Sequence, residues 1–297
     1  MRWFGLELSD RLRDGGQIYS DCPLYEEIGN RIGIYIMMLR RVFFAMLLLI
    51  GTAYSAAVAD SVIFVGTSRD LSGKPAMLTG KLTKPLGKGP FPAVVLLHGC
   101  SGIRKREDLW VERLADWGYV ALQVDSLTPR GHKSVCAYPR TLHPDIRSRD
   151  AHDASSYLGG LPFVDRNRIA VMGWSHGGWT TLHAIQGKNR IQELADNFRA
   201  AVAFYPYCDI QLEDLTAPLL ILIGKRDDWC PTDKCSSVMP SGKAAHEVIL
   251  KIYPEAYHCF DWEGMDKVYK GHRLLYDPAA AADAIVQVQN FLQKYLK

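Results

Sequence analysis

The chain has 297 residues, 48% of them hydrophobic, and a formal net charge of +3. This composition excludes a disordered polyelectrolyte, and so small a positive excess gives no basis for binding nucleic acid or an anionic surface. The length is ample for one large core.

Arg40-Arg41 precede the apolar run Val42 to Ile50, and Ala57-Val58-Ala59 follows. A basic start, a short apolar core and a small-x-small signature together predict a signal peptide over 37–59, cleaved after Ala59. The apolar core is too short to span a bilayer, which takes roughly 20 residues. No stable membrane span is therefore expected after cleavage. Residues 1–36 read as an over-extended reading frame ahead of the natural start. Residues 1–59 hold six basic and six acidic side chains, so the remaining domain, 60–297, keeps the same net charge. No internal repeat, low-complexity tract or linker suggests a second domain.

From there strands and helices alternate. Val62–Val65 and Met77–Leu82 read as an antiparallel pair, and Ala93–Leu97 as a buried strand. Glu107–Trp117 is an expected amphipathic helix with Leu109, Trp110, Leu114 and Trp117 on one side. Tyr119–Val124 follows as a strand and Arg147–Leu158 as a helix. Ile169–Met172 is a strand and Trp179–Gln186 a helix. Ala200–Tyr205, Leu219–Ile223 and Val248–Ile252 are strands, and Pro278–Leu296 is a closing helix. The alternation predicts an α/β fold with a mostly parallel central sheet and helices on both faces.

Between the strand at 169–172 and its helix lies Gly173-Trp174-Ser175-His176-Gly177. Strand, Gly-x-Ser-x-Gly, helix is the setting in which this motif presents a serine nucleophile on a strained turn. A serine hydroxyl is a weak nucleophile alone, so a base and an acid are needed. Two later strands supply them. Leu219–Ile223 runs into Gly224-Lys225-Arg226-Asp227-Asp228, and Val248–Ile252 into Tyr253-Pro254-Glu255-Ala256-Tyr257-His258. Ser175, Asp227 and His258 would then share the carboxyl ends of parallel strands, where open α/β sheets place their sites. Adjacent turn residues point in different directions, so only one of Asp227 and Asp228 can orient His258. Asp227 is the expected partner and Asp228 a solvated neighbour.

Together with Val94-Val95-Leu96-Leu97-His98-Gly99-Cys100-Ser101-Gly102, Trp117-Gly118-Tyr119-Val120-Ala121 and His258-Cys259-Phe260-Asp261, these motifs resemble the dienelactone hydrolase family of α/β-hydrolases, including its exported members. The resemblance runs from about Ser61 to the C-terminus and implies an α/β-hydrolase fold. One departure is that the namesake enzymes use a cysteine nucleophile where this chain has Ser175, which points away from dienelactone itself as substrate. The fold also implies an oxyanion hole of two backbone N–H groups: His176, following the nucleophile, and one from His98 to Gly102, expected at Cys100.

The other histidines carry structural expectations. His98 packs its loop, His183 packs on the helix after Ser175, and His132 and His143 lie in the Ser126–Ile146 loop over the site. Arg149, Asp150 and Asp153 read as a surface or helix-start charge group. No cofactor or metal is expected: Cys230 and Cys235 lack a second matched pair for zinc. Six cysteines remain beyond Cys22, an even count that suits disulfides in an exported chain. Because Asp227 and His258 must be hydrogen-bonded, a Cys230–Cys259 bridge between their loops is expected. A Cys208–Cys235 pair would leave Cys100–Cys136 as the third.

The sequence thus implies a periplasmic or secreted serine hydrolase acting on small-molecule carboxylic esters, lactones included. A prolyl-oligopeptidase-like peptidase and a non-catalytic envelope binding protein are the alternatives. Pocket shape is expected to depend on the Ser126–Ile146 and Trp262–Asp277 loops. Oligomeric state is left open.

Overall fold

The structure is a computed structural model that describes residues 58–69, 72–187, 198–242 and 244–297. The expected leading segment and nearly all of the expected signal peptide lie outside the described residues. Strand β1 (Val58–Arg69) starts two residues before the expected cleavage point, with Val58 and Ala59 paired to Lys84 and Thr83 of β2 (Pro75–Lys84). Among the described residues no helix is long and apolar enough to cross a membrane.

Eight strands form one sheet in the order β1-β2-β4-β3-β5-β6-β7-β8. The remaining six are β3 (Phe91–Leu97), β4 (Val120–Asp125), β5 (Val164–Trp174), β6 (Ala200–Phe204), β7 (Leu219–Gly224) and β8 (Val248–Tyr253). β1–β2 and β2–β4 are antiparallel and every other pair is parallel. The predicted antiparallel pair and mostly parallel sheet are both present. The central strands are near-continuous Val, Ile, Leu and Ala because helices cover both of their faces. In β1, by contrast, Phe64 is buried while Ile63 and Val65 are exposed, the alternation of a strand with one wet face.

Among the described residues five α-helices connect and flank the sheet: α1 (Lys105–Asp116), α2 (Pro144–Gly159), α3 (His176–Ala184), α4 (Thr232–Ser237) and α5 (Pro278–Leu296). In α1, Trp110 and Leu114 face the core as expected, but Leu109 is 40% exposed. Helix α2 starts three residues earlier than predicted, on Pro144, whose missing N–H costs nothing at the first turn. A second, two-stranded sheet joins β9 (Asp266–Tyr269) to β10 (His272–Leu275), inside the segment expected to be a loop.

The expectation that Asp150 and Asp153 lie on the surface is corrected by the position of β1. That strand lies over α2 and buries both carboxylates, and only Arg149 stays exposed. Asp150 pairs with Arg130 at 2.7 Å and accepts from Ser68 Oγ at 2.6 Å. Asp153 accepts the Thr67 N–H at 2.7 Å.

Chain direction across the sheet reverses at β3, which has β4 on one side and β5 on the other. The loops leaving β3 and β5 therefore part at a topological switch point, which opens a crevice at the carboxyl end of the sheet.

Candidate active site

Ser175 sits in that crevice, between β5 and α3. Its φ of 54° and ψ of −115° place a non-glycine residue in a strained backbone region. The strain is held in place from several sides. Ser175 N–H donates to Phe204 O at 2.9 Å, and Trp179 N–H donates back to Ser175 O at 2.8 Å. Gly173 and Gly177 are required by space: a Cβ on Gly173 would lie 2.3 Å from Gly177 O, and one on Gly177 would lie 2.0 Å from Leu97 O. The turn is tight because strand, helix and the β3 loop meet there.

His258 Nε2 lies 3.0 Å from Ser175 Oγ, and His258 Nδ1 lies 2.7 Å from Asp227 Oδ2. A carboxylate only accepts, so Nδ1 carries the proton and Nε2 is left to accept from the serine hydroxyl. Asp227 Oδ1 accepts from the N–H groups of Trp229 at 3.0 Å and Cys230 at 2.8 Å, which fixes the carboxylate's direction. Asp227 and His258 are 3% and 2% exposed, so the relay is shielded from water up to the serine. Asp228 points elsewhere: it is exposed and faces His272 Nδ1 at 3.4 Å. The β9–β10 hairpin braces His258, since Leu275 N–H donates to His258 O and Leu274 bridges His258.

Cys100 and His176 both line the cleft beside Ser175. The β3 loop runs directly against Ser175, so that a Cβ on Gly99 would stand 3.8 Å from Ser175 Cβ. His98 is 1% exposed, with Nδ1 at 2.7 Å from Gly99 O, and packs this loop as expected.

Two supports of this site escaped the sequence reading. The first is Arg147, fully buried in α2. It donates to His176 Nδ1 at 2.8 Å and to His98 O at 2.9 Å, joining the elbow to the β3 loop. Burial lowers its pKa to about 10, which still leaves it charged at neutral pH. An arginine only donates, so His176 Nδ1 accepts and Nε2–H donates to Pro139 O at 2.8 Å. Burial, then the nearby Arg147 charge, push the His176 pKa down to about 3, so its ring is neutral.

The second lies beneath His258. The Tyr205 ring packs 4.6 Å from the His258 ring, and Tyr205 O–H donates to Asp261 at 2.6 Å. Arg106 donates to Tyr205 at 2.7 Å, and Trp174 Nε1–H reaches the other Asp261 oxygen at 2.9 Å. The sequence signal for this group was a cluster of aromatics at the ends of β5 and β6, with Arg106 and Glu107 on an otherwise buried helix face.

The cysteines divide differently from expectation. Cys100–Cys136 and Cys208–Cys235 are bonded, but Cys230 and Cys259 are buried free thiols. The bridge expected between the last two is therefore corrected, although their loops do run side by side. Cys259 has a φ of 61° in the turn following His258, and the two thiols stay unbonded although they lie within electrostatic reach of each other. Burial raises both thiols, Cys259 to about 12, so neither is a thiolate at neutral pH.

Ser175 stands where two clefts meet. One, of about 250 Å³, is lined by Pro139, Arg140, His176, Trp179, Tyr207 and Trp229. The other, of about 350 Å³, holds His258, Arg104, Trp262, Lys267 and Tyr269. The Cys100–Cys136 bridge and Trp229 border both. Of the histidines over the site, His143 is half-buried and packs 5.5 Å from Trp179. His183 is held between Asp145 at 2.6 Å and Asp209 at 3.1 Å. Among the described residues no group of His, Cys, Asp and Glu is set to hold a metal ion.

Comparison with known proteins agrees with this architecture. The dienelactone hydrolase family pattern matches residues 78–296. The chain is 29% identical over 187 residues to the quorum-quenching protein AidA of Acinetobacter baumannii, which covers 59% of this chain and 57% of that protein. It is 33% identical over 107 residues to the "Probable dipeptidyl-aminopeptidase B" of Grosmannia clavigera, 34% of this chain but only 10% of the relative's length. Among solved structures, a dienelactone hydrolase-like promiscuous phosphotriesterase from metagenomic libraries superposes with a TM-score of 0.58 at 22% identity, over 80% of this chain and 99% of that one. With a match over most of its length and a sheet, crevice and serine elbow of this kind, the chain belongs to the dienelactone hydrolase family of α/β-hydrolases.

Proposed function

We propose that the protein hydrolyses carboxylic esters, lactones among them, through an acyl-enzyme on Ser175. His258 takes the serine proton as Oγ attacks the carbonyl and then gives it to the leaving alcohol; Asp227 holds the imidazole in the tautomer this requires. The Cys100 and His176 backbone N–H groups receive the oxyanion. A water activated by His258 completes the cycle. The observation that carries this reading is the unbroken relay from Asp227 through His258 to Ser175, at 2.7 and 3.0 Å. A non-catalytic role leaves a strained serine aimed at a buried histidine unexplained.

Labelling by a serine-directed fluorophosphonate tests the nucleophile. Wild type should label and Ser175→Ala should not; a labelled Ser175→Ala would transfer the role to another serine such as Ser101. A peptidase reading draws on the likeness to the dipeptidyl-aminopeptidase. Parallel assays on p-nitrophenyl esters, lactones and peptide p-nitroanilides separate the two, with ester turnover expected to dominate. We further propose export to an oxidising compartment, with the mature chain starting at Asp60. Two disulfides support it, and N-terminal sequencing of the exported protein tests it.

A further inference from the structure

The two clefts are not equivalent with respect to the reaction. The leaving oxygen must be protonated by His258, so it departs on the side of His258. The carbonyl oxygen lies toward the Cys100 and His176 N–H groups, and the acyl chain extends on the remaining side of Ser175. His258 lines only the larger cleft and His176 only the smaller one. Resting on the ester-hydrolase reading, this assigns the alcohol to the larger cleft and the acyl group to the smaller.

We propose that the smaller cleft is an acyl subsite for a single aromatic ring, so that the enzyme prefers esters of arylalkanoic acids to those of linear fatty acids. Three rings wall the cleft. Trp179 is 4% exposed and fixed by its Nε1–H bond to Asp209 at 2.6 Å. Tyr207 stands edge-on to it at 5.4 Å and 71°. Trp229 is held from behind by His272, stacked at 4.9 Å and 18°, and by Tyr269 at 5.7 Å. Walls fixed in this way lose little freedom when a ligand enters. The volume of about 250 Å³ suits one ring and a short linker, given that a cavity of about 150 Å³ accepts benzene. Among the described residues no carboxylate lines it. A flat ring meets these walls face-on and edge-on, whereas a linear chain of equal carbon number must coil to fit.

In each turnover a bond forms between Ser175 Oγ and the acyl carbon, and the bond from that carbon to the alkoxy oxygen breaks. The serine proton leaves with the alcohol by way of His258. Water then releases the arylalkanoic acid and returns a proton to Ser175.

The test uses p-nitrophenyl phenylacetate and p-nitrophenyl octanoate. They share a leaving group and have eight acyl carbons each, and each rate is divided by its hydroxide-catalysed rate. The phenylacetate should lead in kcat/KM by about three- to tenfold, the range for one well-placed aromatic contact. Tyr207→Leu should move the ratio toward one, and a crystal structure of the phenylmethylsulfonyl adduct of Ser175 should show its ring in the cleft walled by Trp179, Tyr207 and Trp229. A wild-type ratio at or below one, a ratio unmoved by Tyr207→Leu, or a ring on the Lys267 side would overturn the assignment. If both esters are turned over without preference for the ring, only this inference fails. If no ester is turned over and Ser175 does not label, the ester-hydrolase reading fails with it.

Discussion

Arg147 Nη1 donates to His176 Nδ1 at 2.8 Å, so helix α2 dictates the tautomer of the residue that follows Ser175. The same guanidinium holds His98 O at 2.9 Å. One buried cation thus joins the two segments that are proposed to supply the oxyanion N–H groups. Arg147→Met keeps the bulk and removes every donor. Its kcat should fall by about 10²-fold with KM changed less than threefold, since loss of one oxyanion donor costs about 10²–10³ in kcat. Arg147→Lys should recover part of kcat. A matched rise in KM, or a full kcat, would show that Arg147 serves stability alone.

The neutral state of His176 has a consequence for stability against pH. Its pKa is about 3 in the fold and about 6.5 when unfolded. Between those values the unfolded chain binds the extra proton, so stability rises with pH. The contribution is complete above pH 6.5 and is lost as pH falls toward 3, on the order of 5 kcal/mol in all. Denaturant titrations of wild type and His176→Asn, compared at pH 7 and pH 4.5, isolate it from the carboxylates. The gap between the two proteins should shrink at the lower pH; a constant gap would mean that His176 is charged in the fold.

Asp227 and Asp228 are neighbours with opposite environments. Asp227→Asn keeps the shape but reverses the hydrogen-bond demand on His258 Nδ1, and should lower kcat by roughly 10²–10⁴-fold, as in other triads. Asp228→Asn touches an exposed carboxylate beside His272 and should stay within about twofold. Steady-state kinetics on one ester decide it, and a larger loss for Asp228→Asn would reverse the roles.

The fold and the relay were legible because both are written locally. Apolar runs of strand length alternate with helical periods, and the serine elbow needs its glycines within a few residues. What escaped notice depends on contacts between distant segments. Asp150 reads as a surface residue until β1 is laid over α2, and Arg147 looks like any helix cation until its buried face meets His98 and His176. The β9–β10 hairpin was hidden because Asp266 to Leu275 is short and polar, and what it packs on is Trp229, nearly forty positions away. The Cys230–Cys259 expectation rested on loop proximity, which holds. It failed because neighbouring loops do not by themselves bring two sulfurs into bonding geometry, and both thiols remain free.

The Cys100–Cys136 bridge offers the last prediction. Cys100 is held to the 126–146 loop twice: by the bridge, and by its carbonyl accepting Val135 N–H at 2.8 Å. Leu127, Val135 and Leu142 form a small apolar cluster beneath it. The bridge closes a span of 36 positions and should stabilise by about 3–4 kcal/mol. Because it anchors a proposed oxyanion donor, its loss should also slow chemistry. Cys100→Ser with Cys136→Ser should lower kcat about tenfold at a temperature well below unfolding, with KM nearly unchanged. Cys208→Ser with Cys235→Ser removes a bridge that lines neither cleft, and should lower Tm while kcat holds. Equal kcat in all three proteins would reduce the first bridge to a stabilising staple. A kcat loss confined to the Cys100 pair, mirrored by weaker binding of a trifluoromethyl ketone analogue, would make it a positioning element of the oxyanion hole.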